Sequence, residues 1–193
     1  MFYYRCSINL MSVSEDSTIT MLKEITTTFK CDSISLLDVD TFMVGTYDHR
    51  PPIRTIDVDG NEGEVQHKLL PDKPYKFYKS ACTYLPSTKT ILFTDIEQHT
   101  VYMCDIKSER GRVITHDKIR APRGMCAVAN GNVFVCSKKT HSIVEVSLRG
   151  DVLMAHDVGM YLPCAISVST DGSRLVVANS ARGQRKIKLF NIV

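Results

Sequence analysis

Between residues 131 and 151 the chain reads GNVFVCSKKTHSIVEVSLRGD, two alternating apolar runs flanking a polar loop with two lysines and a histidine, followed by a glycine-containing turn. An apolar–polar alternation of period two predicts β-strands, and the short polar interval between them predicts a hairpin bend. The same figure recurs upstream as ILFTDIEQHTVYMCDIKSERG and TFMVGTYDHRPPIRTIDVDG, and downstream as RLVVANSARGQRKIKLFNIV. Asp95, Ser137 and Asn179 stand 42 residues apart in this alignment, and the loop after Asn179 is two residues longer than its counterparts.

Each repeat also opens on a first strand led by a proline or a polar turn: TTFKCDSISLL, PYKFYKSACTYL, APRGMCAVA and LPCAISVS. The first three end in a fourth, EVQHKLL, RVITHDKI and DVLMAHDV. Four short strands in each 40 to 50 residues, with no helical periodicity between them, predict an all-β fold: a β-propeller of four-stranded antiparallel blades. Residues 1–26 read as the two outer strands of a preceding blade, 27–73, 74–121 and 122–162 as full blades, and 163–193 as an incomplete final one. About four blades in the chain predict either part of a longer, six-bladed ring or self-association, because an open arc exposes an apolar face and an unpaired strand edge.

The repeats resemble NHL-repeat blades, with a proline-led first strand, a second strand ending in Asp and an N-H-R-I-like junction opening the third. Gln98-His99-Thr100-Val101 and Thr140-His141-Ser142-Ile143 are two such junctions, and Asp48-His49-Arg50 precedes Ile53 in another. The resemblance covers residues 27–193; GQRKI in the last repeat departs from it, and two junctions lack the arginine. No tryptophan is present, which argues against WD repeats. NHL propellers form the recognition domain of tripartite-motif (TRIM) ubiquitin ligases, so the resemblance implies binding of protein targets or structured RNA. No RING, B-box or coiled-coil pattern occurs in this sequence, so no ligase activity is read from it.

The histidines follow the repeat. His49, His99 and His141 fall at the junctions between second and third strands, and His67, His116 and His156 in fourth strands, too dispersed to share a metal. Cys31, Cys82, Cys126 and Cys164 fall near first strands, which suits core packing better than a ring of soft-metal ligands. No metal or other cofactor is expected. Asp38, Asp40, Asp57 and Asp59 lie at turns, where Asp bonds its own backbone. No nucleophile elbow, zinc-protease motif or phosphate loop appears. The expectation is a chain that is not an enzyme; a gluconolactonase-like, metal-dependent hydrolase is the catalytic alternative, with Asp32 its one inward-pointing first-strand carboxylate.

Seven cysteines in 193 residues, none in C-x-x-C, suit reduced thiols in the cytoplasm, and no apolar run reaches the length of a membrane span. The formal charge of +3 is too small to announce a nucleic-acid binder by itself. Its distribution is more informative. In a propeller the loops joining strand four to strand one and strand two to strand three open on one face; these loops carry thirteen cations against five carboxylates, and the opposite turns are acidic. The predicted binding residues on the basic face are Lys73, Tyr75, Lys76, Lys79, Lys118, Arg120, Arg123, Lys138, Lys139, Arg182, Arg185 and Lys186. Tyr47, Phe77, Tyr78 and Tyr161 lie in or beside the same loops and could stack on unpaired bases. The function expected is a non-catalytic binding module or scaffold recognising a protein partner through one face, with RNA binding through the basic face as the alternative.

Overall fold

The computed structural model describes residues 6–47, 51–65, 81–128 and 130–192. Strands β1 (Cys6–Val13) and β2 (Ile19–Thr27) form a two-stranded antiparallel hairpin. The first blade is β3 (Lys30–Asp38), β4 (Thr41–Tyr47), β5 (Ile53–Asp57) and β6 (Glu62–Glu64). The second is β7 (Cys82–Leu85), β8 (Thr90–Asp95), β9 (Thr100–Asp105) and β10 (Arg110–Thr115). The third is β11 (Pro122–Ala127), β12 (Val133–Ser137), β13 (Ser142–Val146) and β14 (Val152–Asp157). The fourth comprises β15 (Pro163–Val168), β16 (Arg174–Asn179) and β17 (Ile187–Asn191). Every neighbouring pair is antiparallel and consecutive in sequence, so the chain is a β-propeller of four blades, as the repeat predicts.

Details of the strand assignment shift. The first strand of the first blade starts at Lys30, since β2 runs through Thr27 and Phe29 packs in the core between them. The second blade's fourth strand ends at Thr115, which moves His116 out of the strand and into the following turn. His49, His67 and the first-strand segment 74–80 lie outside the described residues.

The core lies between blades, because each sheet has two faces and each face needs a neighbour. In the third blade Val133, Val135, Val144 and Val146 face the second blade's Leu92, Val101 and Met103. Cys136 and Ile143 face the fourth blade's Leu175 and Val177. The first and second blades meet through Met43, Ile53, Ile91 and Phe93, with Phe93 stacked on Tyr102 at 4.6 Å.

First strands approach closely at the centre, and small residues permit it. Ser33 Oγ accepts the Cys82 N–H (2.9 Å) and Ser35 Oγ accepts the Tyr84 N–H (3.1 Å), joining β3 to β7. At Gly124 a Cβ would stand 2.8 Å from the Cys164 carbonyl oxygen, so β11 and β15 touch backbone to backbone there. No comparable packing joins β15 to β3 among the described residues.

Candidate functional site

Among the described residues, the loops of the second, third and fourth blades on the predicted basic face are joined by a belt of hydrogen bonds. Its anchors are the residues 42 positions apart. In the third blade Ser137 Oγ accepts the Arg120 N–H (2.8 Å) and donates to the Lys118 carbonyl (2.7 Å). In the fourth, Asn179 Nδ2 donates to the Tyr161 and Gln184 carbonyls (2.9 and 3.1 Å), and its Oδ1 accepts the Lys186 N–H (2.7 Å). In the second, Asp95 Oδ1 accepts the N–H groups of Glu97 and Gln98 (3.0 and 2.9 Å). The Asp95 side chain is buried, and this burial raises its pKa.

The junction histidines carry the belt between blades. His99 and His141 both have left-handed backbones, at φ 57° and 59°, which turn their rings towards the next loop. The His99 Nδ1 lies 3.2 Å from the Ala121 N–H and 2.9 Å from the Ile96 carbonyl. The His141 Nδ1 accepts the Leu162 N–H at 3.2 Å. Ala121 and Leu162 are themselves left-handed, at φ 50° and 53°. The loop bearing the two lysines is a single 3-10 turn, Lys138–Thr140, fixed by Lys138 N–H to Ala121 O and Lys139 N–H to Arg120 O. Thr140 Oγ1 adds a bond to Ser137 Oγ (2.6 Å), and Ser180 N–H bonds Leu162 O to bring in the fourth blade.

These bonds place Lys118, Arg120, Lys138 and Lys139 together on one face, with Arg182, Arg185 and Lys186 on the adjoining loop of the fourth blade. Lys118, Arg120, Lys139, Arg182, Arg185 and Lys186 are exposed, and Lys138 is half-buried. A depression of about 470 Å³ opens beside Lys138 and Lys139, lined by Ile96, Ala121 and Leu162 and edged by those two lysines, His99 and Arg123, with Glu97 its one carboxylate.

Arg123 differs from the other cations. Its guanidinium crosses from β11 to Asp32 on β3, two blades away, at 3.3 Å, with both side chains 19% exposed. It therefore belongs to an ion pair over the centre of the propeller, and Asp32 is committed to an arginine. Among the described residues no three His, Cys, Asp or Glu side chains converge on a point that could hold a metal ion.

Of the aromatic residues, Tyr161 is exposed and sets its ring edge-on to His141 at 4.7 Å. Lys73, Tyr75, Lys76, Phe77, Tyr78 and Lys79 lie outside the described residues, as does the side chain of Tyr47. Of the first-strand cysteines, Cys31, Cys82 and Cys126 pack in the core clusters, and burial pushes the Cys82 thiol up to about 11 and the Cys126 thiol to about 12, far from a thiolate at neutral pH. The acidic turns on the opposite face serve their own backbones. Asp57 Oδ1 accepts the Asp59 and Asn61 N–H groups, and Asp38 Oδ1 that of Val39.

Sequence reasoning missed the pairing of Arg123 with Asp32, for which one sequence offers no signal. It also missed the work of Ser137 and Asn179 in tying loops together. Their fixed spacing was the available signal.

No family model matches the chain, and no curated protein matches it. Solved structures do, at identities that establish the fold alone. Hydrazine synthase from Kuenenia stuttgartiensis shares 16% identity at a TM-score of 0.65, over 86% of this chain and 47% of that one. A catalytically inactive virginiamycin B lyase from Staphylococcus aureus, solved with quinupristin, shares 16% at 0.61, over 97% and 60%. A protein from Bacteroides uniformis described as a candidate 6-phosphogluconolactonase shares 13% at 0.63, over 97% and 61%. The chain thus spans about half to three fifths of the length of these propellers. No helix among the described residues is long and apolar enough to cross a membrane.

Proposed function

We propose that this chain is a non-catalytic binding module that recognises a protein partner through the loop face of the propeller. The observation that carries this reading is a set of cations held on loops already locked in place: Lys118, Arg120, Lys138 and Lys139 flank loop backbones bonded to one another through Ser137, Thr140 and His141. Loops fixed before binding lose little conformational freedom on association. The adjoining depression sets an apolar floor of Ile96, Ala121 and Leu162 inside a cationic rim, which suits an acidic protein segment bearing an apolar anchor. Engagement of Asp32 by Arg123 weighs against a cation-dependent hydrolase at the channel mouth. Within the tripartite-motif context implied by the NHL resemblance, this face would be the substrate-recognition surface of a ligase, acting in the cytoplasm.

The test compares a fluorescent acidic peptide with a single-stranded RNA of matched charge by anisotropy, from low to moderate salt. Replacing Lys138, Lys139, Arg182, Arg185 and Lys186 together by Ser should weaken peptide binding at least tenfold and leave the fold intact, since exposed substitutions change stability by about half a kcal/mol or less each. Stronger RNA binding, with a log–log salt slope of about 0.7 per phosphate contact, would transfer the function to RNA. Failure of both probes to bind at low salt, or affinity unchanged in the folded variant, would remove this face from the function.

A further inference from the structure

The depression beside Lys138 and Lys139 is bounded by segments of three blades: Ile96 and Glu97 from the second, the two lysines from the third, and Leu162 at the entry to the fourth. Its main-chain donors are already spent. The N–H groups of Ala121 and Leu162 go to His99 and His141, those of Lys138 and Lys139 to the Ala121 and Arg120 carbonyls, and that of Glu97 to Asp95. An added strand or a peptide lying along a groove is held by main-chain bonds to its host. A segment running across this depression would find none of these five N–H groups free to pair with it.

What the depression does offer is a short apolar surface beside a single uncompensated charge. Arg123 is neutralised by Asp32 at 3.3 Å, and Glu97 offsets one of the two lysines. Neither lysine belongs to an ion pair among the described residues, so both ammonium groups are open to a ligand. One net positive charge balances one carboxylate, whereas a phosphate brings a charge of about −2 and a run of acidic residues brings several. Ile96, Ala121 and Leu162 line the same small hollow, so the carboxylate and the apolar group it receives must be carried by one residue or by immediate neighbours.

We propose that this depression takes the carboxyl terminus of a protein partner, with the apolar side chain of the last residue on Ile96, Ala121 and Leu162 and its α-carboxylate held by Lys138 and Lys139. The inference rests on the reading of this face as a protein-binding surface and names the part of the partner that is read. A terminal apolar residue needs no onward main-chain bonds, brings one negative charge, and carries that charge beside its own side chain. Those are the three properties the depression requires. The combination is particular to this junction: 42 residues on, the places of Lys138 and Lys139 are taken by Ser180 and Ala181.

Fluorescence anisotropy on the purified chain compares Gly-Ser peptides labelled at the N-terminus with an uncharged dye: one ending in leucine with a free carboxylate, the same peptide amidated, and one ending in serine with a free carboxylate. The free-acid leucine peptide should bind at least about tenfold more tightly than either of the others, the scale of one hydrogen bond to a charged group. Lys138→Gln combined with Lys139→Gln should remove the preference for acid over amide, and Ile96→Ser the preference for leucine over serine, each with an unchanged circular dichroism spectrum. Equal binding of acid and amide by the wild type would overturn the proposal whether or not the variants fold, and so would an acid preference that survives in the folded lysine variant. An amidated peptide with internal acidic residues separates this inference from the reading beneath it. If that peptide binds and the free-acid leucine peptide does not, the face binds protein but reads no terminus; if neither binds, both conclusions fall together.

Discussion

The second and fourth blades are built from the same repeat, yet their strands read differently. In the second blade all six residues of β8, Thr90 to Asp95, are buried, including Thr94 and Asp95. In the fourth blade β15 and β17 alternate between half-buried or buried and exposed positions. The second blade is sandwiched between two neighbours, whereas among the described residues the fourth packs its core on the side of the third blade alone. The position of a blade in the row, more than its own sequence, decides whether both faces of a strand are core. A strand buried on both faces loses the alternation by which strands are recognised.

That comparison breaks most sharply under a charge placed in the middle of the row. Val135→Asp on the third blade's fully buried second strand should cost several kcal/mol and leave little cooperatively folding protein in a urea titration. At the edge of the row, Leu189→Arg should change the stability of the single chain by about half a kcal/mol or less. Equal losses at the two positions would refute the distinction.

The junction of the two regions gives the intermediate case. Gly124→Ala places a methyl group against the Cys164 carbonyl and the Ala165 Cα, and neither backbone group can swing aside. The expected cost is about 1–3 kcal/mol by chemical denaturation. The smallest effect belongs to the turn that opens the fourth blade's second strand. Hydrogen bonds from Ser169 and Ser173 hold the Asp171 carboxyl down to about 2, below its ordinary 3.8. A lowered acid pKa means that this contribution is present above about pH 4 and fades as pH falls through 2. The difference in melting temperature between wild type and Asp171→Asn should therefore be small at pH 6 and vanish near pH 2.

Much of this fold was legible because its repeat spaces the strands evenly. The 42-residue interval from Asp95 to Ser137 to Asn179 located the second strands of three blades, and the assignment of loops to faces correctly grouped Lys118 with Lys138. Strand ends were less legible: His116 reads as part of an apolar run, yet the chain turns at Thr115 so that Ile119 can pack in the core as an isolated residue. The pairing of Arg123 with Asp32 was invisible, because it spans two blades and depends on curvature that no local pattern encodes. Asp95 looked like a motif residue; one oxygen in fact caps its own loop, while the other makes no hydrogen bond to the described residues.

The belt of loop bonds also sets where this sequence can change length. Ser137 reaches back to Lys118 and Arg120, and Asn179 to Tyr161, so each anchor must keep its distance from the preceding blade's exit. A residue inserted between Arg120 and Ser137 on the belt side would put the wrong side chain opposite those carbonyls. In the fourth blade the segment after the anchor is freer: Asn179 closes its own loop onto Gln184 and Lys186, and two extra residues are accommodated there. Length variation among related chains should therefore collect after Asn179, in the segment that carries Arg182, Arg185 and Lys186, whereas the Lys138–Thr140 turn, bonded to Ala121, Arg120 and Ser137, should keep its length.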